Sequence, residues 1–312
     1  VNALHPLSVM SVTLTNVSVA AVNTVFRFAV ILVIVPITKL IENIACRIIK
    51  DSPEELEMLR DMDRLEERFI AHPALAVEQS RLTINSMAGK ARENLFGALE
   101  LLNNFSDRGF AETNELEKLV DRYEDKIGTY LVKLSPYELG QSESKAVSKY
   151  LHTITDLERI SDHALNIAEN AREKHDKQIK FSDAAEREIG VLTSAVEEIM
   201  TLAIQSFVDD SLDIAYRIEP LEEHIDNLCD MLKVNHIERI QNGSCTLGNG
   251  FVYNDLLTNL ERVADHCSNI GVAMIEFEND IVGAHEYIED LQERHTEQFN
   301  KYYDEYSKKY SI

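Results

Sequence analysis

The chain has 312 residues, with 54 acidic against 31 basic side chains and a formal charge of −23. That length suits about two domains and a substantial core, while an acidic balance this strong speaks against a nucleic-acid partner, because phosphate binding needs a basic face. Cys46, Cys229, Cys245 and Cys267 are far apart and form no CxxC pair, which excludes a zinc ribbon or a disulfide framework and suits a reducing compartment.

The first 50 residues differ from the rest. No formally charged side chain occurs from Val1 to Phe26, and after Arg27 a second uncharged run ends at Thr38. Lys39, Arg47 and Lys50 follow, with Glu42 as the sole acid. A signal peptide would place its basic residues before the apolar run. A bilayer-crossing helix of about 20 residues can be drawn within Ala20–Ile44. The basic residues after it put everything past about residue 45 on the cytoplasmic side. Arg27 within such a span needs a polar partner or cavity. Asn16 and Asn23 are weak candidates for a solute pathway, helix–helix hydrogen bonding being the plainer explanation. A ragged span without an initiator Met reads as the end of a larger membrane protein.

From residue 51 the pattern is helical. Ser52-Pro53-Glu54-Glu55 reads as a helix start, and His72-Pro73 breaks that linker helix, placed at 51–81. Apolar residues recur at three and four over Leu82–Asn104, a helix period. Ser106-Asp107-Arg108-Gly109 is a turn. Helices are expected over Thr113–Leu134 and Ser144–Lys174, then over Ser182–Val208, Leu212–Arg239 and, past a Gly-rich loop at 242–250, Tyr253–Glu278. The tail, 281–312, reads as a polar helix at an exposed end.

The last helix of each set carries an internal repeat. Asp156–Ala168 (DLERISDHALNIA) matches Asn259–Gly271 (NLERVADHCSNIG) with seven identities, and Tyr150/Tyr253 and Thr155/Thr258 extend the match. Two tandem three-helix bundles are expected, at 82–175 and 182–280. Most identities are polar, which packing alone would not preserve. Glu158 and Asp162 share a helix face with Asn166 one turn on, beside a row of Arg159 and His163. Glu261, Arg262, Asp265, His266 and Asn269 repeat the arrangement. The preceding helices add Asp121 and Asp125 in one copy and Glu222 and Asp226 in the other. Carboxylates brought together must take up protons, pair with arginine or bind cations. Oxygen-rich sites suit Mg, Mn or Ca, and a nearby His admits Fe or Zn. An Arg–carboxylate network that only locks helix register is the alternative. No His has an acid three residues before it, against a ferritin-type di-iron site, and no phosphate loop or nucleophile elbow occurs, so an enzyme is not expected. His152 and His224 read as helix-surface residues.

DRYED (Asp121–Asp125) with ERISDHALN (Glu158–Asn166), and EEHID (Glu222–Asp226) with ERVADHCSN (Glu261–Asn269), resemble the double motif of the PhoU domain, over roughly Leu82–Glu278. VNTVFRFAVILVIVP (Val22–Pro36) and ERFIAHPALAVEQS (Glu67–Ser80) resemble the last membrane segment and linker of bacterial sodium/phosphate cotransporters, which carry a PhoU-like domain after the membrane core. The resemblance implies metal clusters at Asp121, Asp125, Asp162, Glu222, Asp226 and Asp265. It also implies phosphate and sodium as transported partners, a cytoplasmic-membrane location and a regulatory domain. The cotransporters' Gln-Ser-Ser substrate motifs are absent from the sequence. Expected overall is an all-α chain, a terminal membrane segment at 1–50 followed by PhoU-like bundles, with a homo-oligomer among its partners. The other class left open is a metal-free helical interaction module acting on phosphate uptake or signalling at the membrane.

Overall fold

A computed structural model describes residues 19–32, 34, 38, 53–137, 139–243, 245–279 and 297–312. The chain divides into two units, Val1–Leu56 and Glu57–Ile312. The described residues are helical and turn, with no strand among them.

In the first unit α1 spans Val19–Leu32. Its apolar side chains stand exposed, Val25 at 69% and Leu32 at 75%. Asn23 lies on it, also exposed, and Thr24 returns its hydroxyl hydrogen to the Ala20 carbonyl at 2.9 Å. Asn16 and most of the expected span beyond residue 32 lie outside the described residues.

The second unit opens within α2 (Pro53–Met62). Two short 3-10 turns lead to α3 (Pro73–Leu101), α4 (Asp107–Leu134) and α5 (Gln141–Asp176), which form the first bundle. The second bundle is α6 (Asp183–Val208), α8 (Ile218–Gln241) and α9 (Leu247–Asn279), with a one-turn α7 (Leu212–Ala215) before α8. Local chemistry sets these ends. Ser106 and Ser182 cap α4 and α6 by accepting from the backbone N–H of Gly109 and Ala185. Pro73 opens α3, where its missing donor costs nothing. Gly243, at φ 71°, closes α8 in the left-handed region.

Several readings of the sequence are corrected by the structure. The linker expected as one helix at 51–81 is α2, two 3-10 turns and the start of α3, and the turn expected at Ser106–Gly109 is the first turn of α4, which begins at Asp107 and not at Thr113. The helix expected from Leu82 begins at Pro73, because Ala76, Val77 and Ser80 already face the core. The helix expected over Leu212–Arg239 breaks at Tyr216-Arg217. Pro220 sits in the first turn of α8, where its ring and missing N–H prevent continuation from α7. The Gly-rich loop is shorter than expected, since Gly248-Asn249-Gly250 enters α9. Gly250 is required there, because a Cβ would lie 2.7 Å from His236 Nε2. The polar tail is no exposed end: α10 (Glu297–Lys309) buries Phe299 and Tyr306 against the second bundle. Among the described residues one helix, α6, has the length and composition to cross a bilayer. It is instead the core helix of its bundle, with Leu192, Ala195, Val196, Ile199 and Ala203 fully buried.

The two bundles meet chiefly along α5 and α9. His163 Nδ1 lies 3.0 Å from Asn259 Oδ1, and His266 Nδ1 lies 2.9 Å from Asp156 Oδ1. Asp156 and Asn259 are repeat counterparts, as are the two histidines. Each copy therefore presents its imidazole to the same position of the other, and the rings stack at 5.7 Å. The Asn269 amide also donates to Asp156. Burial, with the neighbouring His266, holds the His163 pKa below its ordinary value against the opposing Asn259 bond. The repeated histidines and Asn269 thus hold the seam between copies. His224 is buried, not a surface residue, and its ring meets Tyr303 of α10 edge-on at 5.9 Å.

Candidate acidic metal sites

Helices of one bundle that run side by side bring the i, i+4 acids of one against the acids of the next. In the second repeat this convergence is tight. A carboxylate oxygen from each of Glu222 and Asp226 on α8 and Asp265 on α9 lies within 4.8 Å of the others. All three are half-buried. Burial first, then the charges of Glu219, Asp226 and Asp265, pushes the Glu222 carboxyl up to about 9. Burial with Asp265 and Glu261 pushes Asp226 up to about 6. Asp226 Oδ1 is buried without a hydrogen-bond partner. Two cations stand at the edge: Arg262 Nη1 is 3.0 Å from Asp265 Oδ2, and Lys233 Nζ is 2.6 Å from Glu261 Oε2. These cations pair with Asp265 and Glu261, and among the described residues neither is ion-paired to Glu222 or Asp226. Three oxygen donors with an orphaned, buried carboxylate oxygen fit a hard divalent cation. The nearby imidazoles are engaged at the seam or under α10, so the donor set is all-oxygen.

The first repeat uses the same residues more loosely. Asp121 and Asp125 are exposed on α4, while Glu158 and Asp162 on α5 are half-buried. Among the described residues, no three acids of this repeat converge as those of the second do. The face is wider and includes two acids the motif reading missed. Burial with Asp162 and Asp121 raises Glu117, and burial with Asp125 and Asp121 raises Glu124. Glu158 is pushed up to about 6 by burial and Asp162. Arg159 stands 3.5 Å from both Glu158 and Asp162. Asn166 is exposed.

A third missed acid, Glu219, belongs to the second site. Its carboxylate accepts from Ser268 Oγ, and burial raises its pKa together with the charges of Glu223 and Asp265, against that hydrogen bond. The signal for all three acids was spacing. Glu117 and Glu124 lie four before and three after Asp121, and Glu219 lies three before Glu222. Extending the helix face by one turn finds them.

The PhoU domain profile matches residues 84–171 and 191–274, more than half of the chain. The chain belongs to the PhoU domain family. Its matched PhoU repeats coincide with the two bundles and contain every acid of both sites. Among curated relatives it is similar to the phosphate-specific transport system accessory protein PhoU homolog 1 of Thermotoga maritima. The identity is 25% over 199 residues, covering 62% of this chain and 84% of the relative. A PhoU homolog of Clostridium acetobutylicum with the same description is 20% identical over 201 residues, 62% of this chain and 88% of that one. Among solved structures, PhoU from Pseudomonas aeruginosa superposes with a TM-score of 0.62 at 19% identity, over 68% of this chain and 99% of its own. The phosphate transport system regulatory protein PhoU from Streptococcus pneumoniae gives 0.60 at 19% identity, over 67% and 98%. These structures establish the PhoU fold of the bundles. The PhoU match ends before residue 275 and begins after residue 83, so α1, α2 and α10 lie outside it.

Proposed function

We propose that the chain is the C-terminal portion of a sodium-dependent phosphate transporter, whose PhoU unit binds cations at its acidic sites and regulates transport. Membership of a family whose relatives are described as phosphate transport accessory and regulatory proteins supports the regulatory role. The observation that carries the cation reading is the convergence of Glu222, Asp226 and Asp265 around an orphaned oxygen. The exposed apolar face of α1, with the resemblance of Val22–Pro36 to a cotransporter segment, supports the membrane tether. In this reading the regulatory unit faces the cytoplasm and the role is binding, not catalysis. A bound cation offsets the mutual repulsion of the carboxylates; Glu222, Asp226 and Asp265 hold it, and Arg262 and Glu219 orient their neighbours.

Two measurements test this. Uptake of labelled phosphate by the longer parent is expected to depend on sodium and to change when the protein ends at Lys50. A well-expressed parent without sodium-dependent uptake refutes the transporter assignment. Separately, the purified chain is expected to retain Mn or Fe through gel filtration. Asp226→Ala with Asp265→Ala should weaken that binding by roughly 10–100-fold or more. Unchanged metal content would favour the metal-free interaction module, the reading that the Arg262–Asp265 and Lys233–Glu261 pairs support.

A further inference from the structure

Each PhoU bundle receives a fourth helical piece from outside the family match, and the two pieces come from opposite ends of the unit. Residues 57–71 lie on α3 and α4: Glu57 pairs with Lys90 at 3.1 Å, and Tyr123 Oη donates to Asp61 at 2.8 Å. α10 lies on α6 and α8. Tyr123 and His224 occupy the same register, each two residues after the first acid of its motif. Both are buried by the added piece, Tyr123 under Asp61 and His224 under Tyr303.

The two pieces hold on differently. The first inserts a buried carboxylate, Asp61, paired with Arg64 at 2.6 Å. α10 docks through Phe299, Tyr306 and Tyr310, 7%, 3% and 7% exposed. Its polar ties include Tyr310 Oη to the Ser194 carbonyl at 3.3 Å and to Glu198, Lys309 Nζ 2.7 Å from Glu198, Asn227 Nδ2 donating to Tyr303 Oη at 3.3 Å, and Arg217 over the Tyr302 ring at 5.5 Å. A 13-residue helix is marginal by itself, so α10 exists because it is docked. A single helix docked mainly by one apolar stripe can open below the free energy of global unfolding.

What α10 covers gives that opening a consequence. Gln298 and Phe299 form one wall of a cavity of about 30 Å³, and Glu219 and Ser268 form another. This volume holds about one water. Glu219 is one turn from Glu222. Its counterpart in the first repeat is Lys118 and that of Ser268 is Leu165, so this annex belongs to the second repeat alone.

We propose that α10 is a docked strap that covers the cavity beside Glu219 and Ser268 and so controls the access of water and cations to that flank of the Glu222–Asp226–Asp265 site. Docked, it shields Glu219 and Ser268, on the flank of the half-buried carboxyl cluster, from bulk water. Released, it hydrates Glu219 first and then Glu222. The consequence for cations rests on the cation reading above, but the covering of the cavity does not, and its test uses no metal.

The test introduces a thiol at the cavity by Ser268→Cys in the chain carrying Cys46→Ser and Cys245→Ser. Cys229 and Cys267 remain as buried reporters of the bundle itself. Adding Phe299→Ala and Tyr306→Ala should speed methanethiosulfonate labelling of the introduced thiol by about tenfold or more. Cys229 and Cys267 should stay protected. The milder pair Lys309→Ala and Tyr310→Phe, which removes the Glu198 ties but keeps the apolar stripe, should give a smaller acceleration of the same selectivity. Equal labelling rates with and without these changes overturn the proposal. So does simultaneous reaction of all three thiols in both variants, which would make α10 an inseparable part of the fold.

Discussion

Glu222→Gln is expected to stabilise the metal-free protein by an amount that grows with pH: close to nothing at pH 5, and about 2 kcal/mol at pH 8. The carboxyl is pushed from its ordinary 4.5 up to about 9 in the folded protein. The folded state therefore binds the proton more tightly than the unfolded chain. Below about pH 4.5 both states are protonated and the group costs nothing. Between 4.5 and 9 the unfolded chain has released its proton while the folded protein must keep it or bear the repulsion, so stability falls as pH rises. The full shift implies a larger penalty; partial exposure of the side chain reduces it by about half. Glutamine has the shape of the neutral acid and does not titrate. The difference between the proteins is the informative quantity. His163, His224 and His236 all have lowered pKa values. They make both proteins more stable as pH rises toward about 6.5, above which the gain is complete, and they cancel in the comparison. Urea midpoints in chelator at pH 5, 6.5 and 8 measure it. A flat difference would show that Glu222 ionises without strain. Excess divalent cation at pH 8 should reverse the order, stabilising the parent chain and not the variant.

The same energetics connect the site to its proposed use. Glu222 and Asp226 are costly while they face only each other and Asp265, and a cation turns that repulsion into attraction. Phosphate enters this scheme as an anion that a carboxylate-held cation can bind through its remaining coordination positions. The first repeat lacks the tight triad, and Arg159 stands close to its two α5 acids. On the cation reading proposed above, the second site is expected to bind before the first.

The fold was legible because it rests on periodicity. Seven identities between Asp156–Ala168 and Asn259–Gly271 indicated two stacked bundles, and Ser182 marked a helix start that the structure reproduces, whereas Ser106, read as part of a turn, caps α4. Acids at i and i+4 identified the faces, because helix geometry leaves them no choice. Three things were not legible. Which acids come within reach depends on how deeply α8 and α9 sit together, and Asp121 and Glu222 are counterparts in the sequence though one is exposed and the other half-buried. The task of the repeated histidines depends on the contact between copies, which a within-copy pattern does not contain. The tail looked polar because its buried stripe is phenylalanine and tyrosine spaced among charges, and its docking partner is distant in the chain.

Glu188→Ala is expected to destabilise the chain by about 3–5 kcal/mol, the largest loss foreseen for a residue outside the acidic sites. Glu188 on α6 is 4% exposed. It accepts from Arg239 Nη1 at 3.0 Å, Asn235 Nδ2 at 2.9 Å and Tyr253 Oη at 2.9 Å, with Arg239 Nη2 2.8 Å from its other oxygen. Burial alone would raise its pKa, but the bonds from Arg239, Tyr253 and Asn235 outweigh it and hold the carboxylate below the ordinary range. Removing the acid leaves the Arg239 guanidinium buried without its counter-charge and Tyr253 without an acceptor. Arg239 also lies over the Tyr253 ring at 5.3 Å, and His236 stacks on the same ring at 4.6 Å. The network thus ties the end of α8 to α6 and to the start of α9. Glu188→Gln keeps the shape and most acceptor capacity and should cost less, about 1–2 kcal/mol. Glu188→Leu with Arg239→Met removes both charges together and should recover most of the loss. A double-mutant cycle from denaturant midpoints isolates the pair. If the single and double substitutions are additive, the pair is not the fastening that sets the α8–α9 register. If they couple as expected, the network fixes the alignment that brings Asp265 level with Glu222 and Asp226. The single substitution should then weaken cation binding from a distance, while the apolar double keeps it.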